Sequence, residues 1–587
     1  MTSADSARIA SPFAGDAMGQ LLVIRGSNAV VGLRGAFARP EDEHATVGSF
    51  LGIAARNSLV IGVVGEVTVD SSQVARELGF DCAATIDFLG EIRSRPDGTR
   101  YFQRGVTEYP KVGDVAAVIA ARDLRLVYDL SGVDTIEIGE LHQDAGVPAC
   151  VNVDEMLSKH FAILGTTGVG KSCGVAVVIR EILEKRSDLR IFLIDPHNEY
   201  GRCFGDRAEV LTPANLRLPF WLFNFEEIVD VIFRGRPGVD DEIEILAEVI
   251  PLARKMYAQT REAADGGSAR RLDLGYTVDT PVPYRLTDLT GMIDERMGRL
   301  ETRVSRIAYS KLLARIGGVC NDPRYAFMFE NANVGGDTMA EVLSQLFRLP
   351  TGDRPMTIMQ LAGFPAEVVD SVVSVLGRMA FDFGLWSDGS LPLLFVCEEA
   401  HRYASANHKI GFGPTRRAIS RIAKEGRKYG VFLGLVSQRP AELDPTIVSQ
   451  CSTLFVMRMS NERDQEIVRA AVSDAAANTL GFVPSLGTRE AFAFGEGVAL
   501  PTRLRFRDLP AKYLPKSDAV SNASADFGRR VGEDFIATVI DRWRGATLSK
   551  RIRPADEGAD ANPVRAQHRP LDPERYSILK KQVRAVD

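Results

Sequence analysis

The chain has 587 residues, 45% of them hydrophobic and 25% charged, with a formal net charge of −6 at pH 7. That length exceeds what one hydrophobic core holds and implies about three or four domains. No run of about 18 apolar residues occurs, so no membrane is expected as a partner, and the acidic balance argues against nucleic-acid binding by bulk charge, although a local basic surface such as a ring lumen stays open.

The first residues, Met1-Thr2-Ser3-Ala4-Asp5-Ser6-Ala7-Arg8, lack a basic stretch followed by an apolar one, so no secretory signal is expected. Seven cysteines are scattered without a C-x-x-C pair and read as reduced thiols of a cytoplasmic protein rather than as a metal site. Residues 1–18 read as a loose leader. Residues 19–145 carry short Val/Ile/Thr-rich runs (21–24, 29–33, 58–68, 83–92, 115–120 and 135–138) broken by Gly, Asp and Pro, which predicts a small β-barrel, with some helix around 71–78.

Residues 146–222 change to α/β: a strand at 161–164, a Gly-rich turn, a helix at 173–183 and a strand at 190–194. Residues 223–346 are rich in Glu, Arg, Leu and Ala at helical spacing (240–256, 289–314, 337–346) and predict a helical insertion, with a loop over 263–271. Residues 347–515 return to α/β, with strands at 357–361, 393–397, 431–437 and 453–457 and helices at 365–383 and 414–428. Alternation of this kind predicts a mostly parallel sheet covered on both faces. Residues 516–587 read as one amphipathic helix (527–543) and a polar tail from about 551.

The turn Gly165-Thr166-Thr167-Gly168-Val169-Gly170-Lys171-Ser172 fits G-x-x-x-x-G-K-[ST] between an apolar strand and an apolar helix that begins with Cys173. Such a loop curls backbone N–H groups round a phosphate at a helix N-terminus. Lys171 can then reach the β/γ-phosphates of ATP, and the Ser172 hydroxyl can ligate Mg2+. Hydrolysis needs acids as well. The apolar run 393–397 ends in Glu398-Glu399; Glu398 would hold Mg2+ through water and Glu399 would act as general base. Gln438, at the tip of strand 431–437, is positioned to sense the γ-phosphate. Among the basic residues ahead of that strand, Arg427 is the first candidate for an arginine finger toward a neighbouring subunit, with Arg421 the alternative. Asp195, His197 and Glu199 follow the second strand, where ligands bind in open α/β sheets.

Together, Ile138-Gly139, the segment 160–172, Ile194-Asp195-Pro196-His197-Asn198-Glu199-Tyr200, Glu399-Ala400-His401, Glu425-Gly426-Arg427-Lys428 and Ser437-Gln438-Arg439-Pro440 resemble the HerA-type ATPases of the HerA/FtsK branch of RecA-like P-loop motors. The resemblance covers roughly residues 15–515. It departs at Glu398, where many relatives carry Asp. It implies a RecA-like core behind a HAS-barrel-like domain, a homo-hexamer threading double-stranded DNA through a central pore, and ATP hydrolysis between subunits. It also implies a nuclease or sirtuin-like effector docked on the barrel face, in DNA end processing or anti-phage defence. The chain shows no nuclease constellation of its own. Residues 402–409 and 200–207 are candidate pore loops, or ordinary surface loops. An ATP-gated scaffold for an effector and a protein-remodelling ATPase are the competing readings.

Overall fold

The computed structural model describes residues 17–34, 46–69, 79–128, 133–144, 146–234, 236–264, 275–299, 305–333, 336–350, 352–408, 411–472, 478–516 and 540. The expected leader up to 16, the helix at 71–78, most of the loop 263–271, and the helix and tail beyond 516 (Ile540 apart) lie outside these residues.

Valine- and isoleucine-rich runs fit a pleated, half-buried surface, and here they form β1 (Gly19–Arg25), β2 (Asn28–Leu33), β3 (Phe50–Ala54), β4 (Ser58–Val69), β5 (Cys82–Ser94), β6 (Arg100–Arg104) and β7 (Val115–Val118). The strands run in the order β2-β1-β7-β3-β4-β5, and a further β2–β5 pairing closes six of them into a barrel, leaving β6 on the outside of β5. Closure removes exposed edges. Leu21, Val31, Leu51, Ile53, Val60, Val64 and Ile86 fill the interior.

A second sheet is built from β8 (Thr135–Leu141), β9 (Pro148–Asn152), β10 (Phe161–Leu164), β11 (Arg190–Asp195), β12 (Ala208–Leu211), β13 (Met356–Gln360), β14 (Leu393–Cys397), β15 (Val431–Ser437), β16 (Thr453–Met457), β17 (Glu490–Gly495) and β18 (Thr502–Phe506). Its order is β12-β13-β11-β14-β15-β10-β16-β17-β18-β8-β9. Pairings from β12 to β16 are parallel, and those from β16 to β9 are antiparallel. β10, β11, β14 and β16 are buried along their length, which is why they read as unbroken apolar runs.

Residues 135–138 are a correction. Spacing assigns them to the barrel, yet β8 pairs with β9 and with β18, more than 350 residues on. Its alternating burial suits either sheet, and only the remote partner decides. β3, β6, β9, β12, β17 and β18 were not anticipated. The helical stretch 289–314 is also interrupted: Leu286–Gly298 and Arg306–Cys320 are separate helices, the second capped by the Ser305 hydroxyl.

Helices between β12 and β13 include Phe225–Phe233, Asp240–Ala264 and Met339–Phe347. Glu227 ties this insertion to the core. Its fully buried carboxylate completes a capping box with Asn224 and takes a 2.9 Å bond from Arg378 and a 2.8 Å bond from Ser374, both on the helix Ala366–Trp386. A buried charge is tolerated when its hydrogen-bonding positions are filled in this way.

His160 performs a similar service ahead of β10. It sits at φ 66°, 2% exposed, with Nδ1 accepting from Leu433 N–H (2.9 Å) and Nε2 donating to the Ala423 carbonyl (3.0 Å). Burial pushes its pKa down to about 4 from 6.5. Between those two values the unfolded chain takes up a proton that the folded chain refuses, so this contribution to stability falls as pH falls from 6.5 toward 4. His160→Ala should cost about 2–3 kcal/mol by leaving both buried backbone groups unpaired. It should also flatten the acid limb of stability in urea titrations run across that pH range.

Candidate nucleotide-hydrolysis site

The parallel register sets the site. Leu164 of β10 pairs with Ser437 of β15, and β15 pairs with β14, which pairs with β11. The loops after four neighbouring strands therefore converge at one edge, where open α/β sheets bind ligands.

The phosphate loop runs from β10 into the helix Lys171–Lys185. Gly168 and Gly170 have φ 80° and 91°, values that exclude most side chains, and a Cβ on Gly170 would lie 2.6 Å from Arg489 Cγ. Thr167, Gly168, Gly170, Lys171, Ser172 and Cys173 line a cavity of about 790 Å3. Gly165, Thr166 and Val169 hold the loop from behind. Gly165 N–H bonds the Ser437 carbonyl, Thr166 donates its N–H and hydroxyl to the Arg458 carbonyl, and the Val169 carbonyl accepts from Arg489 N–H.

Across the cavity, Glu398 and Glu399 follow β14, each 4% exposed. Glu399 adopts left-handed backbone (φ 53°, ψ 43°) as it enters the turn Ala400–Arg402, a conformation that costs a non-glycine residue on the order of 1 kcal/mol. It separates the two carboxylates. Glu398 turns toward Tyr200, whose hydroxyl donates at 2.8 Å, and lies in the field of Lys171. Burial raises the Glu398 carboxyl to about 8, against the opposing pull of Lys171 and Tyr200. Glu399 accepts from the Gln438 amide, and the Gln438 carbonyl accepts from the Thr167 hydroxyl. A continuous chain thus runs from phosphate loop to candidate base. His401 Nδ1 lies 3.3 Å from the other Glu399 oxygen and 3.2 Å from Ser437 Oγ, and His197 Nε2 lies 3.6 Å from Glu399.

Asp195 is fully buried and accepts the N–H groups of Glu199 and Tyr200 at 3.1 and 3.0 Å, so it shapes the loop rather than facing the cavity. Burial raises its carboxyl above the usual range. Glu199 faces inward and accepts from Ser172 Oγ at 2.8 Å. Ser172, Glu199 and Glu398 form a set of hard oxygen donors beside Lys171. Such a set fits Mg2+, which keeps several waters and takes further ligands from substrate phosphates.

Arg427 is not brought to this cavity. It is exposed in the turn Gly426–Tyr429, ahead of β15 and so at the opposite end of the sheet. Among the described residues it has no ion pair, whereas Arg421 stacks on Phe381 (3.9 Å) and pairs with Asp382 (3.3 Å). The candidate pore loop 200–207 packs inward: Tyr200, Cys203 and Phe204 are buried, and Arg207 bonds the Leu183 carbonyl of the phosphate-loop helix. Arg202, Gly205 and Asp206 stay exposed. In 402–408, Ala404 and Ala406 are backbone-bonded to the segment 442–444, and Lys409 lies outside the described residues. Sequence reasoning placed Tyr200 only in a motif and a candidate pore loop, and it missed Thr488, Arg489, Asp508 and Leu514, because none of these four sits in a motif and all come from beyond β16.

The family model for the helicase HerA central domain matches residues 136–380. The DNA double-strand break repair helicase HerA of Pyrococcus furiosus is 26% identical over 457 residues, covering 72% of this chain and 75% of that protein. The corresponding helicase of Saccharolobus solfataricus is 25% identical over 447 residues, covering 72% and 81%. Among solved structures, plasmid coupling protein TrwB with ADP and Mg2+ is 16% identical at a TM-score of 0.43, covering 68% of this chain and 94% of that one. VirB4 of Thermoanaerobacter pseudethanolicus gives 16% and 0.41, covering 65% and 98%.

With Glu398 protonated near neutral pH, loading of a divalent cation must release its proton. The Mg2+ concentration for half-maximal nucleotide binding should therefore fall as pH rises from 6.5 to 8.5. Glu398→Gln should raise that concentration and abolish its pH dependence, measured by titrating Mg2+ against a fluorescent ATP analogue.

Proposed function

We propose that this chain, a HerA-type ATPase, works as a cytoplasmic hexameric ring with RecA-like cores that hydrolyses ATP to drive double-stranded DNA through its pore for a nuclease or effector partner. The observation that carries the reading is the chain Thr167–Gln438–Glu399, which ties the phosphate loop to a carboxylate held at the opposite wall. A simple nucleotide-binding site needs no such tie.

In this reading the loop N–H groups and Lys171 hold the triphosphate, and Ser172 with Glu398 supplies oxygen ligands for the cation, with Glu199 alongside. Bound Mg2+ would neutralise charge on the β- and γ-phosphates. Glu399 takes a proton from the attacking water, its carboxylate oriented by Gln438 on one side and approached by His401 on the other. Gln438 lies between the γ-phosphate subsite and the base, so loss of that phosphate changes the partner of Thr167 and moves the tip of β15. Arg427 acts on a neighbour's nucleotide. Its exposure, lack of an ion pair among the described residues and position at the far end of the sheet support action between subunits rather than within one. Duplex DNA would be held by its phosphates, which carry no sequence information and suit a translocase.

No helix among the described residues is long and apolar enough to cross a membrane. The partner is expected on the barrel face, as the resemblance to HerA-type ATPases implies.

Steady-state ATPase of the full chain should rise with linear duplex DNA. Lys171→Ala and Glu399→Gln should each lower kcat by at least about 100-fold. Turnover indifferent to DNA would demote translocation in favour of an ATP-gated scaffold. Arg427→Ala should lose about 1,000-fold or more on its own, and mixing it with Lys171→Ala subunits should restore measurable turnover. Failure of the mixture to recover would exclude action across an interface.

A further inference from the structure

The cavity that begins at the phosphate loop does not end there. Its far wall is formed by Asp508, Leu509, Leu514 and Pro515, from the segment that follows β18. Arg489 links the two ends. Its backbone N–H donates to the Val169 carbonyl at 2.7 Å, its side chain lies against Gly170, and its guanidinium pairs with Asp508. Arg489 therefore joins the phosphate loop to the segment that carries Leu509, Leu514 and Pro515.

That wall is built rather than incidental. Arg507 pairs with Glu181, and the Tyr513 ring lies 3.9 Å from the guanidinium carbon of Arg180, both partners on the phosphate-loop helix. Lys516 N–H donates to the Glu199 carbonyl at 3.1 Å. Three ties therefore fix residues 507–516 to the two elements that hold the phosphates and the cation. Leu514 faces the cavity and belongs to none of the buried core clusters, so packing does not explain it.

We propose that Leu509, Leu514 and Pro515 form the base-binding wall of the nucleotide site, holding the purine of the substrate by its face, with the Arg489–Asp508 pair at the level of the ribose. This rests on the reading of the cavity as the site of ATP hydrolysis. The three wall side chains carry no hydrogen-bonding groups, so the purine edge is read weakly, and the protein accepts GTP as well as ATP. A site that selects by apolar contact discriminates by less than about 100-fold, whereas one that hydrogen-bonds the ring edge can reach about 10,000-fold.

The test compares the full-length protein with Leu514→Ala and Leu514→Asp. It measures KM for ATP and GTP and competitive inhibition by inorganic tripolyphosphate, which has no base. Leu514→Asp should raise both KM values by about tenfold or more, with Leu514→Ala intermediate, and leave kcat and tripolyphosphate inhibition unchanged. Unchanged KM values, or loss of tripolyphosphate affinity in step with ATP, would overturn the wall. So would discrimination between ATP and GTP beyond about 1,000-fold in the unsubstituted protein. Absence of turnover with either triphosphate in the unsubstituted protein would instead sink the hydrolase reading on which the wall rests.

Discussion

The parallel register of β10, β15, β14 and β11 is the constraint on which the site depends. Each strand contributes one loop at the same edge, and each loop contributes one kind of group: phosphate-binding N–H groups, an amide, two carboxylates, and a further carboxylate with a buried tyrosine. A slip of one residue in β14 would exchange the faces of Glu398 and Glu399. The apolar runs resist such a slip because both faces of the sheet are filled, with Phe192 and Phe395 stacked at 5.5 Å across neighbouring strands.

Two unfavourable features sit together at this edge. Glu398 is buried with its carboxyl raised to about 8, and Glu399 is held in left-handed backbone. Both are local costs that a stable packed sheet absorbs, and strain of this type gathers where geometry must be fixed before a ligand arrives. The same logic covers His160, which seats the start of β10 against β15 and the preceding helix by two buried hydrogen bonds. It holds one end of the strand while the phosphate loop occupies the other.

The core was legible because its signals are local. The run 161–172 contains strand, turn and helix start in order, and the run 393–399 contains an apolar strand and both acids. Gln438 was legible as a strand-tip residue. What escaped depends on distance along the chain. β8 looks like a barrel strand until β18 is seen beside it. Residues 200–207 look like an exposed loop until Tyr200 is found bonded to Glu398, and Arg489 and Leu514 carry no motif at all. Arg489 packs against Gly170, and the segment that carries Leu514 is tied to the phosphate-loop helix through Arg507 and Tyr513, contacts that no spacing encodes. Arg427 shows the converse: its motif was visible, while the fold leaves it at the opposite end of the sheet from the phosphate loop.

The account stands on Gln438 as the tie between phosphate loop and base. The most direct measurement is single-turnover hydrolysis by Gln438→Ala, paired with the Kd of a fluorescent ATP analogue. The account predicts hydrolysis slowed by about 100-fold with Kd unchanged, because binding rests on Lys171 and the loop while orientation of Glu399 rests on the amide. Hydrolysis at the rate of the unsubstituted protein would contradict it, and Glu399 would then need no tie to the loop at all.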